Sequence, residues 1–363
     1  MPPFPPDGHY NRRQILRLAS LAAGASIFPS ACRALNSATT ESQATVKKSP
    51  TPASKLTVQL KPPQTSRVVL VYSEDRVAGT RQALDLLQPG GIKGQTAFLK
   101  PNYNTGDPAP AATDTKVLET LIQELQGSGA KSVTIGDRSG MANTRAAMQQ
   151  KGVFDVAERY GIEAIVFDEM AAEQWQYVSA EGTHWKQGFA FARPILEAGA
   201  VINTCCLKTH RFGGHFTLSL KNTVGMVAKY VPGDPFNYMG DLHSSPHQRL
   251  MIAEINQAYQ PALVLLDGVE AFVNGGPESG KKVQTNLILA GTDRVAVDVV
   301  AIGLLRSLGT TQNFAQGSVW GLEQIKRAVE LGLGVSSAEQ IELIAPDRAS
   351  QRIADTIRPL IAT

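Results

Sequence analysis

The chain has 363 residues, 43% of them hydrophobic and 18% charged, which is enough apolar material for a sizeable buried core. The net charge of +3 comes from the amino-terminal end, where residues 1–61 carry eight Lys or Arg against two acids; the remainder is slightly acidic. That balance excludes the clustered basic face on which nucleic-acid binding depends.

In chain order, the first signal is Asn11-Arg12-Arg13-Gln14-Ile15-Leu16-Arg17, two adjacent arginines ahead of a mildly apolar run from Leu18 to Phe28. The run is too short to span a bilayer. The segment resembles a twin-arginine export signal, assigned to residues 1–32, and implies a protein of the periplasm or outer cell envelope. That route carries proteins already folded, often after a cofactor is inserted, so the resemblance also implies a bound cofactor of unknown identity. Cys32 follows Ser30-Ala31 and is a candidate lipid acceptor, although Pro29 stands where such signals usually carry Leu. It is the one membrane attachment expected. Residues 33–66 are rich in Ser, Thr, Ala, Pro and Lys and are expected to form a flexible tether.

From residue 67 to 363, short β-rich runs alternate with helical patterns, the signature of a single α/β domain with a largely parallel or mixed sheet and helices on both faces. Strands are expected at 67–73, 96–100, 131–136, 163–167, 200–207, 262–266, 285–290 and 340–344. Helices are expected at 77–87, 114–127, 142–160, 247–258, 293–307 and 320–332; Val117, Leu118, Leu121, Ile122 and Leu125 recur at helical spacing, for example, and Gly127 and Gly129 follow as stops. Cys205 and Cys206 are sequence neighbours, so a disulfide framework is excluded; buried free thiols are the expected reading, a vicinal disulfide the alternative.

Charged residues stand directly after several apolar runs: Lys100, Asp137, Asp168, Lys208, Asp267 and Asp293. Ligands of open α/β sheets sit outside the carboxyl ends of the strands, which makes these residues candidates for one site. Asp168 and Asp293 read better as helix caps or turn formers. A lysine abutting a buried run is seldom buried without a partner, and desolvation lowers its pKa towards values useful for proton transfer or for gripping an anion.

The densest stretch is Lys208-Thr209-His210-Arg211-Phe212-Gly213-Gly214-His215, continuing to Lys221-Asn222. If the chain stays extended past Leu207, Lys208 and His210 share a face. Gly213 and Gly214 permit a tight turn. Leu220, Val224, Val227 and Val231 recur near helical spacing, so the glycine loop is read as opening a helix whose free N–H groups would face the crevice and bind an anion, with Lys221 and Asn222 beside it. A strand through Phe216, Leu218 and Leu220 fits the same residues.

Lys100-Pro101-Asn102, Lys208-Thr209-His210, the run Thr217 to Gly225, His247, Asp267-Gly268, Gly275-Gly276-Pro277, and Asp293 with Asp298 together resemble the family catalogued as domain of unknown function 362, over about residues 67–345. The resemblance supplies location more than activity. Some members carry Cys-rich iron–sulfur motifs; this chain has no such spacing, which puts a cluster-based electron-transfer reading in doubt for it.

Three readings of the residues compete. In the first, an enzyme uses Lys208 and His210 for acid–base chemistry, with Asp267 orienting His210 or pairing with a lysine, while Lys100, Asn102, Asp137, Gly213, Gly214, Lys221 and Asn222 bind an anionic small molecule. In the second, the same residues capture an anion or cofactor without chemistry. In the third, His210, His215 and Asp267 hold a metal. Gly275 to Lys281 matches the spacing of a phosphate loop, but Lys282 stands where the magnesium-binding Ser or Thr belongs and a strand follows; it reads instead as a tight loop over the mouth of the site.

Overall fold

Alternation along the first strand sets the layering. In β1 (Ser66–Tyr72), Val68 and Leu70 pack into one apolar cluster while Val69 and Val71 pack into another, so both faces of the sheet are covered. The computed structural model describes residues 62–362; the expected export signal, Cys32 and nearly all of the expected tether lie outside the described residues.

Nine strands form one mixed sheet. Its spatial order is β11 (Ile341–Ile344), β1, β10 (Gly280–Gly291), β9 (Pro261–Gly275), β7 (Ala200–His210), β2 (Thr96–Lys100), β3 (Ser132–Asp137) and β4 (Glu163–Val166), with β8 (His215–Thr217) paired to β7. From β9 to β4 all neighbours are parallel, whereas β10 runs antiparallel to both β9 and β1. A separate hairpin joins β5 (Trp175–Val178) and β6 (Phe189–Ala192).

Helices α1 (Arg76–Leu87), α2 (Thr115–Gly127) and α4 (Val153–Tyr160) cover one face, placing Leu84, Leu121 and Val156 against Ile135 and Ile202. On the other face, α9 (Arg294–Ser307), α10 (Glu323–Glu330) and α11 (Arg348–Ile361) bury Val299, Ile325 and Ile357. Beside them the β5–β6 hairpin, α7 (Tyr238–Ser244) and α8 (Gln248–Ile255) form a third cluster around Phe191 and Tyr238. Shorter helices α3 (Thr144–Gln150), α5 (Arg193–Glu197) and α6 (Ser219–Asn222) complete the eleven among the described residues. Side-chain caps fix the longer ones: Asp75, Asp114 and Asp293 each accept backbone N–H bonds from the first turn of α1, α2 and α9.

The chain steps outward from β2 to β3 to β4 and then returns to place β7 on the opposite side of β2. The strand order therefore reverses between β2 and β7, and Lys100, paired in register with Asn203, ends β2 at that reversal. Open sheets form their ligand crevices at such points.

Several expected boundaries change for identifiable reasons. The helix expected over 142–160 is split into α3 and α4 by Gly152, whose positive φ of 67° breaks the helical path. The expected strands 262–266 and 285–290 extend to β9 and β10, because the two pair with each other well beyond the apolar core, through polar residues such as Glu270 and Gln284. Strand 200–207 likewise continues through Lys208, Thr209 and His210, which gain β8 as a partner. The expected helix opening at the glycine loop is overturned: Gly213 and Gly214 belong to the β7–β8 turn, α6 begins only at Ser219, and the helical path ends at Met226. Cys205 and Cys206 are free, buried thiols, that of Cys206 pushed up to about 11 by burial.

Candidate functional site

A cavity of about 320 Å³ opens outside the carboxyl ends of β2 and β3, where the switch point places it, with β7, the β8–α6 segment and the β9–β10 hairpin forming other walls. Its lining includes Lys100, Asn102, Asp137, His210, Lys221 and Asn222 from the expected set.

The floor is a hydrogen-bonded polar layer. Lys100 Nζ lies 2.6 Å from Asp137 Oδ1, donates to the Pro101 carbonyl at 2.6 Å and reaches Asn222 Oδ1 at 3.4 Å. Asp137 also accepts the backbone N–H groups of Tyr103 and Arg138. Asn102 donates to Asn222 Oδ1 at 2.8 Å, and Asn222 donates in turn to Asn203 Oδ1 at 2.7 Å and to the Thr204 carbonyl. Gly225 closes the layer: a Cβ there would fall 2.5 Å from Asp137 Oδ1 and 2.8 Å from Lys100 Nζ, so only glycine lets the backbone approach the ion pair.

Lys208 differs from its expected place. It is fully buried one layer beneath the cavity, donating to Asn102 Oδ1 at 2.7 Å and to the Ala111 carbonyl, and it is absent from the lining. It braces Asn102 and adds a positive charge behind the floor. Sequence reasoning missed Arg138, which follows Asp137 at the end of β3 and lines the cavity. Its buried guanidinium is engaged by the carbonyls of Val227, Ser139 and Val224, with no carboxylate in contact. The signal that could have found it was the position immediately after a charged strand end.

Lys221 is the exception among these cations. Its side chain reaches the cavity, and among the described residues nothing accepts a hydrogen bond from its ammonium. Burial, followed by the neighbouring charges of Lys208 and Arg138, pushes its pKa down to about 7. Two further groups on the lining lack partners: Asn104 Nδ2 and the Thr217 hydroxyl, both buried. An unsatisfied buried polar atom costs about 1–3 kcal/mol, so these two groups, like the Lys221 ammonium on the same lining, await a ligand or water.

His210 Nδ1 accepts the Gly214 N–H at 3.3 Å, which puts the ring proton on Nε2. Burial and the nearby Lys221 and Lys208 hold this imidazole neutral, far below the ordinary histidine range. Gly214 lines up the pair: a Cβ at that position would lie 2.7 Å from Lys221 Cε and 3.0 Å from His210 Nδ1, so the two side chains are neighbours. Gly213 and Gly214 thus shape the turn behind His210 and do not themselves line the cavity.

Three expectations are corrected. Asp267 neither orients His210 nor pairs with a lysine; it accepts from Arg76 Nε at 2.8 Å and from the Val269 N–H, mid-strand in β9 and away from the cavity lining. The first-turn N–H groups of α6 do not face the crevice, because Asp298 already accepts from Ser219 and Leu220 at 2.8 and 3.0 Å. His215 lies outside the lining, near Arg249 and Glu323, so His210, His215 and Asp267 do not converge. Among the described residues no group of three or more His, Cys, Asp or Glu is placed to hold a metal ion. Asp293 caps α9, and Asp168 sits in the single 3-10 turn Phe167–Glu169 that follows β4, where it accepts from Thr144 and Lys229. The loop after Gly275 and Gly276 contributes Pro277 to the cavity wall.

A family model described as Domain of unknown function (DUF362) matches residues 98–303, which contain every lining residue. The chain is also similar to a thylakoid-associated protein of Synechocystis sp., at 26% identity over 256 residues, covering 66% of this chain and 74% of the relative. No solved structure matches it.

Proposed function

The chain belongs to the DUF362 family, and on the geometry above we propose that its cavity binds an organic anion and that the protein is an enzyme moving a proton with Lys221. The observation that carries the proposal is the Lys221 ammonium, unpaired in a wall whose other cations are already engaged. Lys100, Arg138 and Lys221 line the cavity with Lys208 buried behind them, and the one carboxylate on the lining, Asp137, is itself bridged to Lys100. A bound anion would compensate that excess and give Lys221, Asn104 and Thr217 an acceptor or donor partner.

The chemistry follows from the two adjacent side chains. With a pKa of about 7, Lys221 populates amine and ammonium in comparable amounts near neutrality and serves as base or acid with little driving-force penalty. His210 contributes as a neutral donor: its Nε2–H stabilises negative charge developing on the substrate, while Nδ1 stays fixed on Gly214. Asn102 and Asn222 hold Lys100 and Lys208 in place without entering the proton transfer.

The same proposal extends to location: the Arg12-Arg13 segment supports export by the twin-arginine route, and cell fractionation of Arg12→Lys/Arg13→Lys tests it, retention in the cytoplasm being the expected result. For the site, native mass spectrometry of protein purified without added cofactors should reveal a retained anion, lost in Lys221→Met. Incubating the retained molecule with fresh protein should alter it chemically; recovery of the molecule unchanged would leave capture without catalysis.

A further inference from the structure

Four large hydrophobic side chains are exposed among the described residues: Tyr72, Met141, Phe212 and Tyr230. The two tyrosines have polar reasons to reach solvent, since their hydroxyls accept from Asn286 and Asn237. Met141 and Phe212, 51% and 47% exposed, have no polar atom that water satisfies well, and both line the cavity described above.

Phe212 is also held in position. The Arg211 guanidinium lies 4.4 Å from its ring centroid, Arg211 is itself fixed by the Gly276 carbonyl at 2.9 Å and by Glu278, and the His210 ring meets Phe212 edge-on at 5.7 Å. A ring anchored on one side by a cation and left bare towards a cavity is a pre-organised stacking surface. Val224 and Pro277 continue the apolar wall, opposite in chemistry to the floor of Lys100, Asp137 and Lys221. Inorganic ions would leave that wall wet.

We infer that the ligand is an amphipathic organic anion, its charged group against Lys221 and a flat apolar body against Phe212 and Met141. The inference rests on the anion reading of the site and narrows the ligand to molecules that carry both parts.

Titration calorimetry on the full chain tests it with five probes: acetate, phosphate, 1-naphthoate, 1-naphthyl phosphate and the uncharged 1-naphthol. At least one naphthyl anion is expected to bind tenfold or more tightly than its bare head group, and Phe212→Ala is expected to reduce that ratio at least fivefold, with Met141→Ala acting in the same direction. Naphthyl anions no tighter than acetate and phosphate, or a ratio untouched by both substitutions, would overturn the apolar half and leave the anion reading standing. If 1-naphthol binds as tightly as the naphthyl anions, or if no probe binds, the anionic half falls, and the preceding proposal with it.

Discussion

Replacing Lys221 by Met should make the protein more stable, and the gain should vanish at high pH. The side chain falls from the ordinary lysine value of 10.5 to about 7. At 1.36 kcal/mol per pH unit, that distance corresponds to about 5 kcal/mol of penalty for holding the ammonium form. Methionine keeps the length of the chain and removes the charge. The sign follows from proton uptake: between pH 7 and 10.5 the unfolded chain binds a proton at Lys221 that the folded protein has shed, so wild-type stability rises with pH across that window. The penalty is fully present below pH 7 and gone above 10.5. Urea unfolding monitored by the fluorescence of the buried Trp175 and Trp185, at pH steps from 6 to 10 in buffer poor in organic anions, should show the variant ahead by about 5 kcal/mol at pH 6 and by no more than about 1 kcal/mol near pH 10. A variant less stable than wild type at pH 6, or a difference that ignores pH, would refute the placement of an uncompensated ammonium in this cavity.

Other outcomes follow from the same contacts. Anion affinity should fall as pH rises through 7, approaching tenfold per pH unit as Lys221 loses its proton, and Lys221→Met should flatten that profile in calorimetry. Gly225→Ala should force a methyl group onto the Lys100–Asp137 pair and cost about 3 kcal/mol in urea unfolding, with loss of anion binding. Asp298→Ala should leave the Ser219 and Leu220 N–H groups buried and unpaired, lowering stability by about 3 kcal/mol. Asp267→Asn should lower stability by about 2 kcal/mol by weakening its pairing with Arg76, yet leave anion affinity within twofold of wild type, since the carboxylate is remote from the cavity.

How far the sequence could be read depended on whether a signal was local. Apolar runs ending in charge located β2, β3 and β7 and brought Lys100 and Asp137 to one crevice, because in a parallel sheet those ends converge. The same rule failed at Asp267, where the apolar run stops but the strand does not: β9 continues to Gly275 by pairing with β10, and the acid is neutralised from α1 by Arg76. The strand expected to stop at 207 carries Lys208 and His210 on its extension, and which of them reaches the cavity depends on Asn102 arriving from 106 residues away to cover Lys208. Arg138 had only its position after a charged strand end to mark it, and the unpaired polar atoms of Asn104 and Thr217 become visible only once the walls are assembled. Helical spacing after the glycine pair misled for a related reason, since Leu220 and Val224 are buried by different neighbours, in the cluster around α9 and in that beside the β5–β6 hairpin.

The amide relay from Asn102 through Asn222 to Asn203 and the Thr204 carbonyl joins the segment following β2 to α6 and to the middle of β7. An occupant contacting this layer would act as a rivet through the centre of the sheet. Loading should therefore register in hydrogen exchange as a joint slowing of amides in β2, β3 and β7, with a rise in the global unfolding barrier.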